Sequence, residues 1–417
     1  MNNSIDLLKL LKYSKNNIEF YKEKIPTEID RISNNKDIGI IFRSLPIVDK
    51  QIIKANYLDF LDAELTKYDL SDIFDTNKNF RKEYAFEFPD YKIIAEYTSG
   101  TTGSPFIALK TPKERLILGR NLWELRRNFH SLNSREFFML IHTNGEYPFP
   151  FSEEEIDSDK LTRELKFLST SSYTWWHLYP KLLQTYADYS TRLGIEFNNL
   201  KVIETNGSYI SDQEKKNYEE IFGCRIANNY GCREIWAIAY DCPHGYLHIN
   251  DKAILFELVD EHGREITNPN EVGYVVLTSL KLRSMPFIRY KIGDLAYYLS
   301  GECSCGNKSR RICVTPGRHL IAGTQMYGNQ YFRSVVVNLI QYYGITKFNS
   351  ISVMQTDYRV FMVNIKGNKE DRTLIEKYFI ESANDVLGIP NCSYIFTYDE
   401  NLESKSIFTL KIQKNTN

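Results

Sequence analysis

Hydrophobic positions in the first seventy residues recur at the spacing of an amphipathic helix. Ile5, Leu8 and Leu11 lie three residues apart, while lysine and aspartate occupy the other faces. Pro46 interrupts this pattern, and a second amphipathic run continues to Phe60. These seventy residues are therefore predicted to be helical.

From about residue 93 onward, short runs of strand-forming residues alternate with longer runs of helical periodicity. The predicted strands are residues 137–141, 201–204 and 225–228, and the predicted helices are residues 179–193 and 211–222. Strands that alternate with helices of this length indicate βαβ units and a parallel sheet. Residues 256–259 and 274–278 follow as strands separated by turn-rich segments, which is typical of an antiparallel portion.

The last hundred residues show a separate pattern of two helices and several strands. The predicted helices are 332–343 and 369–387, and the predicted strands are 351–355, 359–365 and 393–397, with an earlier strand near 320–326. This order is typical of a small α+β domain. We therefore predict an α/β chain with a large N-terminal domain of mixed parallel sheets and helices, residues 1–318. A small mobile α+β domain would follow, residues 319–417.

Composition narrows the classes of protein to which the chain can belong. The 52 lysines and arginines nearly balance the 53 aspartates and glutamates, which argues against a nucleic-acid binder that works by bulk charge. No stretch reaches the roughly 18–20 apolar residues that span a bilayer, and Lys9 and Lys12 interrupt the leucines that a secretion signal would need. We therefore expect a cytoplasmic protein without a membrane span.

A run of hydroxyl residues and glycines, YTSGTTGSP at 97–105, directly follows the apolar residues 93–95. Glycines expose backbone N–H groups, and the hydroxyls add further donors, so such a loop can surround a phosphate chain without net charge. On composition alone the segment is more typical of a surface turn between two elements. It matches neither the Walker A loop nor the glycine-rich fingerprint of dinucleotide-binding folds.

The loop sequence resembles the phosphate-loop signature of the adenylate-forming enzymes, which include acyl-CoA synthetases, luciferases and peptide-synthetase adenylation domains. Three further signatures of these enzymes follow in the expected order, namely NYGCRE at 229–234, YKIGD at 290–294 and the Gly-Arg pair at 317–318. Matches in correct order strengthen an assignment that each short motif alone would leave weak.

Within this superfamily the chain is most similar to the phenylacetate–CoA ligase branch, including its relatives in capsular polysaccharide biosynthesis. This likeness is carried by LPIVDK at 45–50, CPHGYLHIN at 242–250, VGYVVLTSL at 272–280, PFIRYKIGDLA at 286–296 and CSCG at 303–306. It covers most of residues 40–330 and weakens beyond them.

The resemblance implies that ATP and Mg²⁺ are cofactors. The residues implied to hold the phosphates are Thr98, Ser99, Gly100, Thr101, Thr102 and Gly103, with Thr101 and Thr102 taking part in catalysis. Glu234 would ligate Mg²⁺, a hard cation that prefers carboxylate and phosphate oxygens.

The remaining nucleotide contacts are also implied by the resemblance. Tyr230 would stack on adenine and Asn229 would contact its exocyclic amine, while Asp294 and Arg318 would bind the ribose. The wall beside the adenine and the acid would include Gly207 and Ser208.

The C-terminal part departs from the pattern of these enzymes. They carry an acidic residue shortly after the Gly-Arg pair, whereas His319 and Leu320 follow here. Lys405 is the candidate for the lysine that closes over the acyl-adenylate, with Lys411 and Lys414 as alternatives. A solvated lysine of the tail is an equally good interpretation of Lys405.

Six of the seven cysteines lie between residues 224 and 313, which predicts a metal site rather than a disulfide framework. Three thiolates and one imidazole form a tetrahedral set for a structural Zn²⁺, and the candidate ligands are Cys242, His248, Cys303 and Cys305. His244 or Cys313 would be alternative ligands.

The resemblance implies an enzyme that activates a small-molecule carboxylic acid as an acyl-adenylate and then passes the acyl group to CoA. Transfer to an amine or to the thiol of a carrier protein is the alternative, and a catalytically silent nucleotide-binding scaffold is a third hypothesis. Trp236, two residues after Glu234, is a candidate for the wall of the acid pocket, although aromatic residues at such spacing more often belong to the core.

Overall fold

The computed structural model describes most of the chain. The described residues are 2–32, 35–75, 83–98, 106–133, 138–140, 158–178, 180–207, 210, 212–315, 317–321, 324–327, 332, 335–336, 339, 348–357, 359–367, 371–387, 392–398 and 408–412. The chain forms two units. The first contains residues 1–136, 142–146 and 227–313, and the second contains residues 137–141, 147–226 and 314–417.

The first unit begins with helices, as the sequence predicts. They are α1 (Asn2–Asn17), α2 (Glu19–Lys22), α3 (Asn35–Ser44) and α4 (Lys50–Ala55). Short 3₁₀ turns cover Thr27–Asp30, Tyr57–Phe60 and Leu65–Lys67. The side chains of Leu10, Leu11 and Tyr21 are completely buried, which shows that one face of these helices packs into the core.

A three-stranded antiparallel sheet follows, made of β1 (Glu83–Phe88), β2 (Tyr91–Thr98) and β3 (Phe106–Lys110). Helix α5 (Pro112–His130) begins directly after β3. Thr111 accepts a hydrogen bond from the backbone of Glu114 and the Glu114 side chain accepts one from the backbone of Thr111, so a capping box fixes the start of the helix.

The second unit contains the predicted alternation of strands and helices. The elements are β4 (Phe138–Leu140), α6 (Ser158–Thr170), β5 (Trp175–Leu178), α7 (Pro180–Leu193), β6 (Val202–Thr205) and α8 (Asp212–Phe222). The three strands pair in parallel. Trp176 is completely buried at their centre and makes edge contacts with the rings of Tyr186, Phe197 and Phe222.

The chain then forms the predicted antiparallel strands. They are β7 (Arg225–Cys232), β8 (Trp236–Asp241), β9 (Leu247–Ile249), β10 (Ile254–Val259), β11 (Gly273–Ser279), β12 (Tyr290–Tyr298) and β13 (Arg311–Thr315). Their order in the sheet is β10, β11, β12, β13, β9, β8 and β7. In this order β7 lies beside β8, and β12 lies inside the sheet between β11 and β13.

The C-terminal residues of the second unit have a core of their own. Two strands, β14 (Gly317–Ile321) and β15 (Thr324–Tyr327), form a separate hairpin. The remaining elements are β16 (Phe348–Asp357), β17 (Val360–Gly367), α9 (Arg372–Leu387), β18 (Ser393–Tyr398) and β19 (Phe408–Ile412), with the strands in the order β18, β17, β16 and β19. Residues 332, 335, 336 and 339 are helical and buried against this sheet.

One prediction for this region was wrong in detail. The strand expected near 320–326 does not join the four-stranded sheet, because it folds back on itself as the hairpin of β14 and β15. The fourth strand is β19, which pairs in parallel with β16. The α/β fold class, with mixed sheets in a larger part and a small α+β part, is confirmed, and the domain boundary at residue 318 stays a prediction. Among the described residues, no helix combines the length and apolar character needed to cross a membrane.

We expect Trp176→Ala to destabilise the second unit by about 3–5 kcal/mol, because it removes a fully buried indole from an aromatic cluster. Phe167→Ala is the matched control, since Phe167 lies on the neighbouring helix α6 and is 56% exposed. Its effect should stay near about 0.5 kcal/mol. Urea unfolding followed by circular dichroism measures both, and equal losses would contradict this description of the core.

Candidate active site

The predicted phosphate loop connects two neighbouring strands. Thr98 at the end of β2 pairs with Phe106 at the start of β3, so the loop joins neighbouring strands of one antiparallel sheet. The loop residues Ser99, Gly100, Thr101, Thr102 and Gly103 lie outside the described residues, as does the side chain of Thr98. Their contacts with phosphate stay a prediction.

A buried ion pair joins the two strands that carry this loop. Lys110 Nζ on β3 lies 2.9 Å from Glu96 Oε2 on β2, and both side chains are almost completely inaccessible to solvent. Arg115 of α5 lies 3.2 Å from the other carboxylate oxygen of Glu96. Both charges are shielded from water, so each side chain needs the other, and removal of either one would leave a buried charge without its counter-ion.

The same ion pair reaches the turn that carries Glu234. Lys110 donates a second hydrogen bond to the backbone carbonyl of Arg233, and the indole N–H of Trp236 donates to Glu96. Arg233 in turn donates from its guanidinium to the carbonyl of Tyr97, at the end of β2. The turn between β7 and β8 is thus fastened to both strands that flank the loop.

The turn between β7 and β8 is tight, with an unusual backbone conformation and a close approach of its two strands. Cys232 pairs with Trp236 across the end of β7 and β8, and Trp236 has a left-handed φ of 70°. A side chain at Gly231 would collide with the carbonyl oxygen of Trp236, only 2.3 Å from the position of a Cβ atom. Glycine is therefore required at 231 by a close approach of the backbone.

The carboxylate of Glu234 is buried and held by two donors. Its Oε1 lies 3.0 Å from Lys50 Nζ and accepts a 2.9 Å hydrogen bond from the hydroxyl of Tyr290. Burial by itself raises the pKa of Glu234, but the charge and hydrogen bond of Lys50 outweigh it and leave the pKa below its usual value. Glu234 is therefore an anion at neutral pH, as a ligand for a hard cation must be.

Two motifs predicted to bind one nucleotide meet beside this carboxylate. The hydroxyl of Tyr230 on β7 donates a 3.0 Å hydrogen bond to Asp294 on β12. Gly293, with a φ of 94°, supplies the left-handed residue that precedes Asp294. Asn229 lies next to Tyr230, is 6% exposed and pairs with Tyr240 of β8.

Several predicted residues fall elsewhere or outside the description. Gly207 follows β6 in the second unit with a φ of 79°. Arg318 lies in β14, but its side chain is outside the described residues. Ser208 and Lys405 also lie outside the described residues, so their roles stay predictions.

The four predicted zinc ligands form one cluster. The donor atoms of Cys242, His248, Cys303 and Cys305 all lie within 4.8 Å of one another. The sulfurs of Cys242 and Cys303 are 3.8 Å apart, close to the edge of a tetrahedron with bonds of about 2.3 Å. His248 turns Nε2 toward the Cys305 sulfur at 3.3 Å and Nδ1 toward the carbonyl of Ser309 at 3.0 Å.

The environment of His248 suits a metal ligand. Burial lowers the pKa of the imidazole, so it is neutral at physiological pH. A carbonyl on Nδ1 is the usual partner that orients a histidine whose Nε2 binds metal. His244 is exposed, and neither it nor Cys313 belongs to the cluster among the described residues.

A cleft of about 940 Å³ opens beside the turn of Glu234. One wall is a single face of α5, where Leu116, Arg120, Trp123 and Arg127 follow at helical spacing. Trp236 lines the same cleft, and use of this wall for an acid stays a prediction.

Comparison with solved structures identifies the fold. The chain superposes on 2-hydroxyisobutyryl-CoA ligase in an open conformation with 2-HIB-AMP and CoA, with a TM-score of 0.64 and 13% identity over 99% of this chain and 91% of that chain. The same ligase in the postadenylation state with 2-HIB-AMP gives a TM-score of 0.66 and 14% identity, over 99% of this chain and 89% of that chain. The chain therefore shares the fold of 2-hydroxyisobutyryl-CoA ligase.

Comparison of sequences gives a more particular relative. Phenylacetate–coenzyme A ligase of Thermus thermophilus is 28% identical over 161 residues, which are 36% of this chain and 36% of that ligase. The match thus spans about a third of the relative's length. No family model matches the chain. The similarity to the phenylacetate–CoA ligase branch is nevertheless confirmed by this relative.

Sequence reasoning missed the residues that hold the site together. Lys50 enters the sequence prediction only as part of the LPIVDK motif at 45–50, and Glu96 and Lys110 do not enter it. A usable signal existed for Glu96 and Lys110, because each is a charged residue of a mostly apolar strand that flanks the loop. Such residues are rarely buried without a partner.

We expect Gly231→Ala to destabilise the chain by about 1–3 kcal/mol, because the added methyl group must push the backbone of Trp236 away. Gly119→Ala is the matched control, since its methyl group would meet the Trp236 ring at an ordinary 3.7 Å. Within α5 that change should stabilise by about 0.5–1 kcal/mol. Thermal melting followed by tryptophan fluorescence tests both variants, and a Gly231→Ala chain as stable as the wild type would refute the strained turn.

Proposed function

We propose that this chain is an ATP-dependent, AMP-forming ligase that activates a carboxylic acid and passes the acyl group to CoA. The observation that carries the proposal is the buried, ionised Glu234 beside the Tyr230–Asp294 pair, next to the strands that flank the phosphate loop. The fold and the phenylacetate–CoA ligase relative support the same reaction class.

The chemistry begins with an acid that is a poor electrophile. A carboxylate oxygen of the substrate attacks the α-phosphorus of ATP, and the bond from that phosphorus to the β-phosphate oxygen breaks. Pyrophosphate leaves with the bonding electrons, and the product is a mixed anhydride of the acid and AMP. A thiolate can then attack the acyl carbon and displace AMP. Positioning and charge neutralisation provide most of the catalysis in such phosphoryl chemistry.

Individual side chains fit the parts of this reaction. Glu234 would hold Mg²⁺, because its carboxylate is ionised and offers hard oxygen donors. The metal supplies positive charge to the phosphates when bound. Asp294 would accept hydrogen bonds from the ribose hydroxyls, Tyr230 would stack on adenine, and Asn229 would meet its amine. The loop donors at 98–103 would bind the β- and γ-phosphates.

The cleft along α5 is proposed to receive the acid and its acceptor. Trp236 and Trp123 give it flat apolar walls, which favour an aromatic or apolar acid. Arg120 and Arg127 are exposed along the same face, and their positive charge favours an acceptor with phosphates, such as CoA. A carrier-protein thiol or an amine is the alternative acceptor. Arg318 would assist Asp294 at the ribose, and Lys405 would close over the acyl-adenylate.

The cysteine–histidine cluster is proposed to bind one structural Zn²⁺. Three thiols and one imidazole fill the tetrahedral positions, so no position remains for a substrate. Cys242 directly follows Asp241, which accepts a hydrogen bond from the backbone of Asn228 beside Asn229. The metal would therefore stiffen the strands that present the adenine contacts.

Glu234→Gln is expected to reduce ATP–pyrophosphate exchange at least about a hundredfold, because the neutral amide cannot hold the metal at the phosphates. An acid panel that includes aromatic acids should be screened on the wild-type chain first. Glu64→Gln is the control, since the Glu64 side chain forms an exposed ion pair with Lys67. Exchange retained in Glu234→Gln would reject this residue as the metal ligand.

Two further outcomes distinguish the competing functions. A wild-type chain that binds ATP but exchanges with no acid would support the silent scaffold instead. Where exchange occurs, AMP release on adding CoA supports the thioester, whereas release only with amines or a carrier protein supports the alternative acceptors.

We expect about one zinc per purified chain by elemental analysis. The double change Cys303→Ser and Cys305→Ser should remove it and lower the melting temperature, because two of the four ligands are lost. Cys313→Ser is the matched control, since this nearby thiol lies outside the cluster among the described residues. A stable wild-type chain without zinc would contradict the proposed metal.

A further inference from the structure

The backbone of Lys50 is held in place by local hydrogen bonds, although its side chain is 41% exposed. It is the first residue of α4, and the side chain of Asp49 caps this helix by accepting hydrogen bonds from the backbone of Gln51 and Ile52. The cap fixes the direction in which the Lys50 side chain leaves the backbone.

The segment before Lys50 is attached to the sheet that carries the site. Val48 forms an isolated parallel bridge with Tyr290 of β12, in which its N–H donates to Arg289 and its carbonyl accepts from Lys291. The Arg289 guanidinium also donates to the carbonyl of Leu45. The segment is thus held as an additional short strand at the edge of the site.

The ammonium group of Lys50 lies between two landmarks of the site. On one side it pairs with the buried carboxylate of Glu234 at 3.0 Å. On the other side it lies 5.7 Å from the centre of the Phe106 ring, and Phe106 is the residue at which the phosphate loop rejoins the sheet. A cation between Glu234 and the end of the phosphate loop would be close to the phosphates of a nucleotide bound by that loop.

Glu234 does not depend on Lys50 alone. The hydroxyl of Tyr290 donates to the same carboxylate oxygen, so Glu234 stays partly satisfied when the ammonium leaves. The Lys50 side chain is 41% exposed, whereas that of Glu234 is 2% exposed. The lysine can therefore move while the glutamate remains in place.

We propose that Lys50 is a phosphate-binding cation in addition to Mg²⁺, and that it stays paired with Glu234 until the nucleotide binds. In the free chain its ammonium neutralises the buried carboxylate. When Glu234 takes up the Mg²⁺ that accompanies ATP, like charges repel and the ammonium turns to the β- and γ-phosphates. This inference rests on the proposed function and deepens it, because it assigns a nucleotide contact outside the phosphate loop.

The test measures nucleotide binding rather than turnover. Calorimetric titration of the full chain with ATP, pyrophosphate and AMP, each with Mg²⁺, compares the wild type with Lys50→Met. An ammonium–phosphate contact predicts that ATP and pyrophosphate affinities fall about tenfold or more, while AMP affinity changes less than about twofold. Lys50→Arg keeps the charge and should retain most of the ATP affinity.

Lys22→Met is the matched control, because Lys22 also pairs with a glutamate but lies in an exposed pair on α2. Its ATP affinity should equal that of the wild type. Unchanged ATP and pyrophosphate affinity in Lys50→Met would overturn the proposal and leave Lys50 as a structural counter-ion.

A second comparison covers the case in which Lys50→Met fails to fold because Glu234 is left as an unpaired buried charge. Glu234→Gln removes that charge, so the double variant Glu234→Gln with Lys50→Met contains no orphaned ion. The double variant should bind ATP about tenfold more weakly than Glu234→Gln alone, and equal affinities would overturn the proposal. A wild-type chain that binds no ATP would instead refute the proposed function, and this inference with it.

Discussion

The geometry of the candidate site depends on one buried ion pair, between Glu96 and Lys110. These residues lie on the two strands that enter and leave the phosphate loop, and Lys110 also binds the turn before Glu234. Loss of one partner from a buried pair commonly costs about 3–5 kcal/mol, because the remaining charge has no water to solvate it. The two strands that flank the loop and the turn that carries Glu234 are therefore positioned by the same interaction.

The charged groups of the site are arranged as pairs in the free chain. Glu234 is held by Lys50 and Tyr290, and Asp294 accepts from Tyr230. Each carboxylate proposed to meet the nucleotide thus already has a partner from another strand. Such pairing keeps the carboxylates ionised and oriented in the absence of ligand, so that less reorganisation is needed when the nucleotide binds.

Contiguous sequence motifs were sufficient to select many of the candidate site residues. The Tyr230 hydroxyl contacts Asp294, and the four zinc-ligand candidates form one cluster, so residues from separate motifs of the sequence do come together. Lys50 and the Glu96–Lys110 pair could not be placed in the same way. Their partners are set by strand register and by an isolated bridge at Val48, which no local periodicity encodes.

The first unit is made of two distant stretches of chain, residues 1–136 and 227–313, with part of the second unit between them. During synthesis on the ribosome the helices and β1–β3 emerge long before the strands that complete their unit. The compact aromatic core around Trp176 can assemble in the interval. Nascent chains would therefore expose the apolar faces of the early helices for an extended time, which favours their binding by chaperones.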